Sequence, residues 1–253
     1  MTSKNMSQAS NGRPVILAID DNAYTLRIVQ HTLDSADFET RTAVSGEEAL
    51  EVIAEIGLPD LAVVDLHLPG GMSGFEFCRS IHQFSDLPAI MLTAVDEEST
   101  VLEGLGKHAE DYIVKPFSSG ELIARVKGIL QRMGRLEFPK TPLVVVDERL
   151  QVDFPRRDLI KNGERVSLTP TEAKLLYILL RQAGDVVMTE YILRRLWPGQ
   201  TAFEDRLHVH LHRLRRKLEE GQDEDAAHEY ILSERGKGYV FQPYSGVPST
   251  AAT

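Results

Sequence analysis

A chain of 253 residues is longer than one ordinary core needs and suits two domains of roughly 100–140 residues each. Its composition is that of a globular protein, 42% hydrophobic, and no uninterrupted apolar run approaches the ~18 residues a helix needs to cross a bilayer, so no membrane span is expected. A formal net charge of −10 would argue against nucleic acid if it were spread evenly, but residues 1–133 carry all the excess acid while residues 134–253 are balanced.

Residues 1–13 are polar and lack the apolar core of a signal peptide, which predicts a disordered tail on a cytoplasmic protein. From Val15 onward, short β-rich runs (Val15 to Ile19, Glu39 to Ala43, Leu61 to Val64, Ala89 to Leu92, Tyr112 to Val114) alternate with amphipathic helical runs. Five βα units with mostly apolar strands predict an α/β domain, a doubly wound parallel five-stranded sheet with its sites at the carboxyl ends of the strands. One cysteine, Cys78, excludes an intramolecular disulfide and a cysteine-only metal site, and reads as a small core residue. The last helix of this domain, Ser118 to Gln131, places Leu122, Val126 and Ile129 on one face, and Gly134 stops it. The first domain is therefore 14–133.

Two prolines and mixed charge make 134–142 a short linker. Residues 143–167 read as a small antiparallel sheet around the turn Lys161-Asn162-Gly163-Glu164. Three helices follow, Pro170 to Ala183 behind an N-capping Thr169, Glu190 to Leu196, and Glu204 to Glu219, and then a hairpin from Tyr230 to Phe241. This is a small α+β domain over 143–243, with 244–253 as a second disordered tail.

Asp20 and Asp21 end the first strand and Asp65 the third, so three carboxylates converge at one rim of the sheet. Such a cluster needs a cation, and Mg²⁺ suits a few oxygen ligands plus phosphate oxygens. Thr93 ends the fourth strand and Lys115 the fifth. A hydroxyl and an ammonium group at the same rim complete a site where Asp65 attacks a phosphoryl group whose oxygens metal and lysine stabilise. Singly, each residue has a plainer role: Asp20-Asp21 as an N-cap pair, Thr93 as a cap, Lys115 as a surface lysine. Their arrival together at the ends of strands 1, 3, 4 and 5 favours one shared site.

The segments Ile19-Asp20-Asp21, Asp65-Leu66-His67-Leu68-Pro69, Leu92-Thr93-Ala94 and Asp111-Tyr112-Ile113-Val114-Lys115-Pro116-Phe117 resemble the receiver domain of bacterial response regulators. The resemblance implies that a sensor histidine kinase phosphorylates Asp65. It also implies that Asp20, Asp21, Asp65 and the backbone carbonyl of His67 hold Mg²⁺, that Lys115 pairs with the phosphate, and that Thr93 and Tyr112 form the switch. A dianionic phosphoryl group draws in the threonine hydroxyl, and the tyrosine ring fills the space left. Two histidines depart from the family: His67 stands where an apolar residue is usual, and His108 where glycine is. On the dimer face Asp111, Glu121 and Arg125 resemble residues that pair between subunits, but Val101 replaces the basic partner of Glu121 and Gly106 the acidic partner of Lys127.

In the second half, Arg206 to Lys217 contains five basic residues and no acidic one. Leu207, Leu211, Leu214 and Leu218 fall on one helical face. Asp205, Val209, His212, Arg213 and Arg216 lie opposite, with Arg206, His210, Arg215 and Lys217 on the flanks. That face suits a DNA major groove, although charge pattern alone leaves a merely solvated basic face open. The runs Leu175 to Leu180, Gly184 to Val187, Trp197, Arg206 to Leu218 and Arg235-Gly236-Lys237-Gly238-Tyr239 resemble the winged helix-turn-helix output domain of the OmpR/PhoB family. This implies a recognition helix over Glu204 to Glu219. Val209 and Arg213 would face bases, with His210, His212 and Arg215 toward phosphates or base edges, and Arg235 on a wing entering the minor groove. His208 departs from the usual aspartate; with His212 one turn on it could begin a metal site, but no further ligand is evident.

The reading is a phosphorylation-controlled transcription factor, not an enzyme. Its expected partners are a sensor histidine kinase, double-stranded promoter DNA carrying direct-repeat half-sites, RNA polymerase, and a second copy of the chain when phosphorylated. One alternative keeps the DNA binding without phosphate control. Another is an aspartyl-phosphate phosphatase, which would place a second aspartate where this chain has His67.

Overall fold

The computed structural model describes residues 12–94, 109–133, 143–200, 204–219 and 230–244. The expected linker 134–142, most of both expected tails, and Val101, Gly106 and His108 lie outside the described residues. The chain forms two compact units, of which the second begins its main body at Leu143.

In the first unit, β1 (Val15–Ile19), β2 (Glu39–Ala43), β3 (Leu61–Asp65), β4 (Ala89–Thr93) and β5 (Asp111–Val114) form one sheet in the order β2-β1-β3-β4-β5. Every pairing is parallel. The described helices are α1 (Ala23–Asp34), α2 (Gly46–Ile56), α3 (Gly74–Ile81) and α4 (Ser119–Met133). Each of the first three starts at a side-chain cap: Asn22 accepts from the N–H groups of Tyr24 and Thr25, Ser45 from Glu48, and Ser73 closes a reciprocal box with Glu76. These caps satisfy donors that a helix start leaves unpaired.

Strand alternation divides the apolar residues between two layers. Ile16, Ala18, Leu61, Val63, Ile90, Leu92 and Ile113 pack with Leu26, Val29 and Leu33 of α1 and Leu122, Val126 and Ile129 of α4. Leu17, Ile19, Ala62, Val64, Ala89 and Met91 are buried on the opposite face. Each fully buried valine, leucine, isoleucine or methionine among them contributes about 1.5–3 kcal/mol. With both faces covered, the open polar ground near β1, β3, β4 and β5 is their carboxyl rim.

The second unit opens with a four-stranded antiparallel sheet, β6 (Val144–Val145), β7 (Leu150–Asp153), β8 (Asp158–Lys161) and β9 (Glu164–Ser167), in that order. Asn162 and Gly163 both take positive φ, 48° and 85°, which is what a two-residue turn between β8 and β9 requires. Then come α5 (Pro170–Leu180), β10 (Val186–Met188), α6 (Thr189–Leu196), α7 (Glu204–Glu219), β11 (Ile231–Glu234) and β12 (Gly238–Phe241). The helix α5 is buried on nearly every side from Glu172 to Leu180, as its apolar sequence demands. It stops at Leu180, three residues before the expected end. Gln182 and Ala183 turn to i−3 carbonyls, and Gly184 at φ 87° ends the run.

The short strand β10 was not expected from local pattern; it exists by pairing with β12, giving the sheet order β10-β12-β11. Gly238 permits that pairing, because a Cβ there would collide with the Val187 carbonyl oxygen. Three helices against two small sheets, with the β11–β12 hairpin extending as a wing, make this a winged helix. Tyr244, expected in the disordered tail, donates its N–H to Asp147 Oδ2 at 2.8 Å.

Candidate functional site

The carboxyl rim of the parallel sheet gathers the expected residues. Asp20 follows β1 and is 1% exposed; its Oδ1 accepts from the Asn22 N–H at 2.9 Å. The helix cap is Asn22 itself, which frees Asp20 and Asp21 from the plainer capping role. Asp65 ends β3, and oxygens of Asp20, Asp21 and Asp65 all lie within 4.8 Å of one another. Among the described residues this is the only group of three potential metal ligands. Lys115, just after β5, reaches across the rim and donates from Nζ to Asp20 Oδ2 at 2.8 Å and to Asp65 Oδ2 at 2.9 Å. The Lys115–Pro116 peptide that follows is cis.

Electrostatics bind these groups into one unit. Burial, with the neighbouring Asp20 charge, raises the Asp65 pKa above its ordinary value, against the opposing pull of Lys115 and a backbone bond from His67. Burial alone would lower the Lys115 pKa, but its bonds to Asp20 and Asp65 outweigh it and leave the ammonium more firmly charged. Thr93 is buried at the end of β4 and its hydroxyl donates to the Ala94 carbonyl at 3.2 Å. Tyr112 is half-buried on β5, Asp21 is exposed, and His67 lies exposed two residues beyond Asp65.

Four residues that sequence reasoning passed over hold the loop after Asp65. Gly74 starts α3 so close to β3 that a Cβ would collide with the Asp65 carbonyl oxygen. Glu47, in the first turn of α2, accepts from the Met72 N–H at 2.8 Å, and Ser73 with Glu76 caps α3. A glycine beside an ordinary helix start carries no local signal of such a contact.

On the face expected to dimerise, Arg125 donates to both oxygens of Asp111 at 2.8 and 2.9 Å and to Glu121 Oε1 at 2.9 and 3.1 Å. All three expected residues therefore meet within one chain.

In the second unit, α7 buries Leu207, Leu211, Leu214 and Leu218. Arg206, His208, Val209, His212, Arg213 and Arg216 are exposed; an exposed valine, 47% accessible, amid cations is what a groove reader offers a thymine methyl. The flanking residues are more committed than their charge alone implies. Arg215 donates to the Ile231 carbonyl at 3.0 Å and to Ser233 Oγ at 2.8 Å, tying α7 to the wing. Lys217 turns to Ser167 and Glu172. His210 packs against Trp197, ring centres 5.7 Å apart, with a buried, unpartnered Nδ1; burial lowers its pKa from the usual 6.5. Arg206 also lies over Trp197, its guanidinium carbon 4.3 Å from the ring centre. Arg235 is exposed on the wing and, with Glu204 and His208, lines a cleft of about 370 Å³ between α7 and the hairpin.

Comparison with known proteins agrees with both halves. Residues 16–127 match the response regulator receiver domain family and residues 163–241 the family described as transcriptional regulatory protein, C terminal. The probable transcriptional regulator ycf27 of Porphyra purpurea is 37% identical over 239 residues, covering 92% of this chain and 96% of its own. The DNA-binding response regulator MtrA of Mycobacterium tuberculosis is 36% identical over 232 residues, 91% of this chain and 98% of its own. The crystal structure of DrrB, described as a Thermotoga maritima OmpR/PhoB homolog, is 29% identical, with 91% and 99% coverage and a TM-score of 0.43. A receiver domain with an acidic rim, followed by a winged helix with an exposed basic face, thus places the chain among the OmpR/PhoB-type two-component response regulators, a family of DNA-binding transcriptional regulators rather than enzymes.

Proposed function

We propose that Asp65 accepts a phosphoryl group from a sensor histidine kinase in the cytoplasm and that this controls sequence-specific binding of promoter DNA through α7 and the wing. The observation that carries the reading is the Asp20–Lys115–Asp65 bridge beside Asp21. Asp65 supplies a carboxylate oxygen that forms the new P–O bond as the P–N bond to the kinase imidazole breaks. Lys115 then meets a phosphoryl oxygen with the ammonium it now shares between two carboxylates. The donor set is all hard oxygen, which fits Mg²⁺ held by Asp20, Asp21, Asp65 and the His67 carbonyl; bound there, it would neutralise phosphoryl charge. Thr93 has a hydroxyl to turn toward the new anion, and half-buried Tyr112 a ring to follow it. His67, exposed at the mouth, stands where it can alter the lifetime of the acyl phosphate.

Promoter recognition would use Val209 and Arg213 on bases, with Arg206, His212 and Arg216 on phosphates or base edges and Arg235 in the minor groove. With His210 packed on Trp197 and Arg215 bonded to the wing, these two would support that face from behind. The phosphorylated chain would pair through the face of Asp111, Glu121 and Arg125, bringing two copies to direct-repeat half-sites and RNA polymerase to the promoter. A second reading, DNA binding without phosphate control, draws on the same face: Arg125 is already satisfied by Asp111 and Glu121 of its own chain.

The test is intact mass, oligomeric state and binding to a selected duplex, with and without acetyl phosphate and Mg²⁺. A phosphate adduct that Asp65→Ala or chelation of the metal removes, accompanied by dimerisation or tighter DNA binding, is the expected result. Equal DNA binding with no adduct would transfer the case to the second reading.

A further inference from the structure

Lys217 belongs to the basic run of α7, yet its ammonium group serves the domain interior. It donates to the Ser167 carbonyl at 2.7 Å and to Glu172 Oε2 at 2.8 Å. Glu172 is 1% exposed and the same oxygen accepts from the Thr169 N–H at 2.8 Å, closing the capping box of α5. One carboxylate thus fixes both the start of α5 and the last turn of α7. From the sheet side, Lys161 Nζ donates to the Lys217 carbonyl at 3.2 Å, satisfying one of the carbonyls that a helix end leaves open. Lys161 ends β8 and Ser167 ends β9.

Burial opposes charge on Glu172, but the bonds from Lys217 and Thr169 hold its pKa below the ordinary carboxylate value. Lending Lys217 to a DNA phosphate would leave that carboxylate buried without its cation, an unfavourable exchange. The apolar contacts of Leu214 and Leu218 are non-directional and tolerate small rotations of the helix. Reading base edges does not, since a contact holds only within about 0.5 Å of its proper geometry.

We propose that Lys217, Glu172 and Lys161 form a brace through which the four-stranded sheet sets the rotation of α7, making Lys217 and Glu172 positioning residues for sequence-specific DNA binding rather than contacts to DNA. The proposal rests on the reading of α7 as the recognition helix.

The test begins with a duplex selected from a random pool by the full chain, with acetyl phosphate and Mg²⁺ present. Binding to it and to an unrelated duplex of equal length is followed across a salt series, at a temperature where Trp197 emission shows each variant folded. Lys217→Gln and Glu172→Gln are each expected to weaken binding to the selected duplex about tenfold. Neither should change binding to the unrelated duplex or the salt slope, and the double variant should lose no more than either single one. The double variant also leaves no buried charge unpaired, so it serves where a single variant unfolds. Lys217→Arg keeps the donors and is expected to bind as the unmodified chain does. The brace is overturned if Lys217→Gln weakens both duplexes alike and lowers the salt slope by about one while Glu172→Gln has no effect, the signature of a phosphate contact. It is equally overturned if both variants and their combination bind as the unmodified chain. A full chain that selects no duplex removes the recognition-helix reading, and the brace falls with it.

Discussion

At Gly74 strand β3 and α3 come together with no room for a single methyl group. Gly74→Ala should force the helix start away from the Asp65 carbonyl, costing about 1–3 kcal/mol of first-domain stability and slowing acetyl-phosphate labelling of Asp65. Gly128→Ala, in α4 with nothing within 4 Å of its Cβ position, should instead gain roughly 0.5–1 kcal/mol. Urea denaturation by far-UV circular dichroism separates the two. His210 makes a prediction about pH. Its folded-state pKa is lowered by burial, so the unfolded chain takes up the proton first. The stability it contributes is complete above about 6.5 and is lost as pH falls toward the folded value. Trp197 is the single tryptophan and packs on His210, so its emission can follow denaturation at each pH. A stability profile unchanged by His210→Gln between pH 7 and 5 would sink the assignment.

Helix α7 has three faces: leucines inward, an exposed basic stripe, and a seam to the wing. Arg213→Ala should cost about 1–3 kcal/mol in binding to the selected duplex and leave folding stability nearly unchanged. Arg215→Ala should do the reverse in part, loosening the β11–β12 hairpin through loss of its bonds to Ile231 and Ser233, and hydrogen exchange at the wing amides would show it. Both arginines belong to one basic run of the sequence, Arg213 on its outward face and Arg215 on a flank. Periodicity gave the range of α7, and of β1 and β2, as the structure has them, because their apolar spacing is local information. It put Arg213 on the outward face and Arg215 on a flank, but could not show that Arg215 is tied to the wing, since its partner Ile231 lies on a strand that follows 16 residues later in the chain. Nor could it find β10, three residues long, or the early end of α5.

Over the whole molecule, the acidic rim was legible because the ends of strands can be counted from the sequence, and parallel topology then brings Asp20, Asp65, Thr93 and Lys115 to one side. Which residues support that rim was not legible: Glu47 and Gly74 act across separations that no local pattern encodes. The division of charge was visible too, with the excess acid in the domain that carries the acidic rim and balanced charge in the one that carries the basic stripe.

Cys78 lies in α3, 1% exposed, and burial pushes its thiol up to about 12. The folded protein should therefore react only slowly with maleimides, and a cysteine introduced at an exposed position such as Val209 would be the reactive thiol without any change to the native one. The native thiol keeps its own use as a clock. Its alkylation should proceed only as fast as the first domain opens, with the same dependence on urea as unfolding; rapid alkylation in native buffer would mean that α3 detaches on its own.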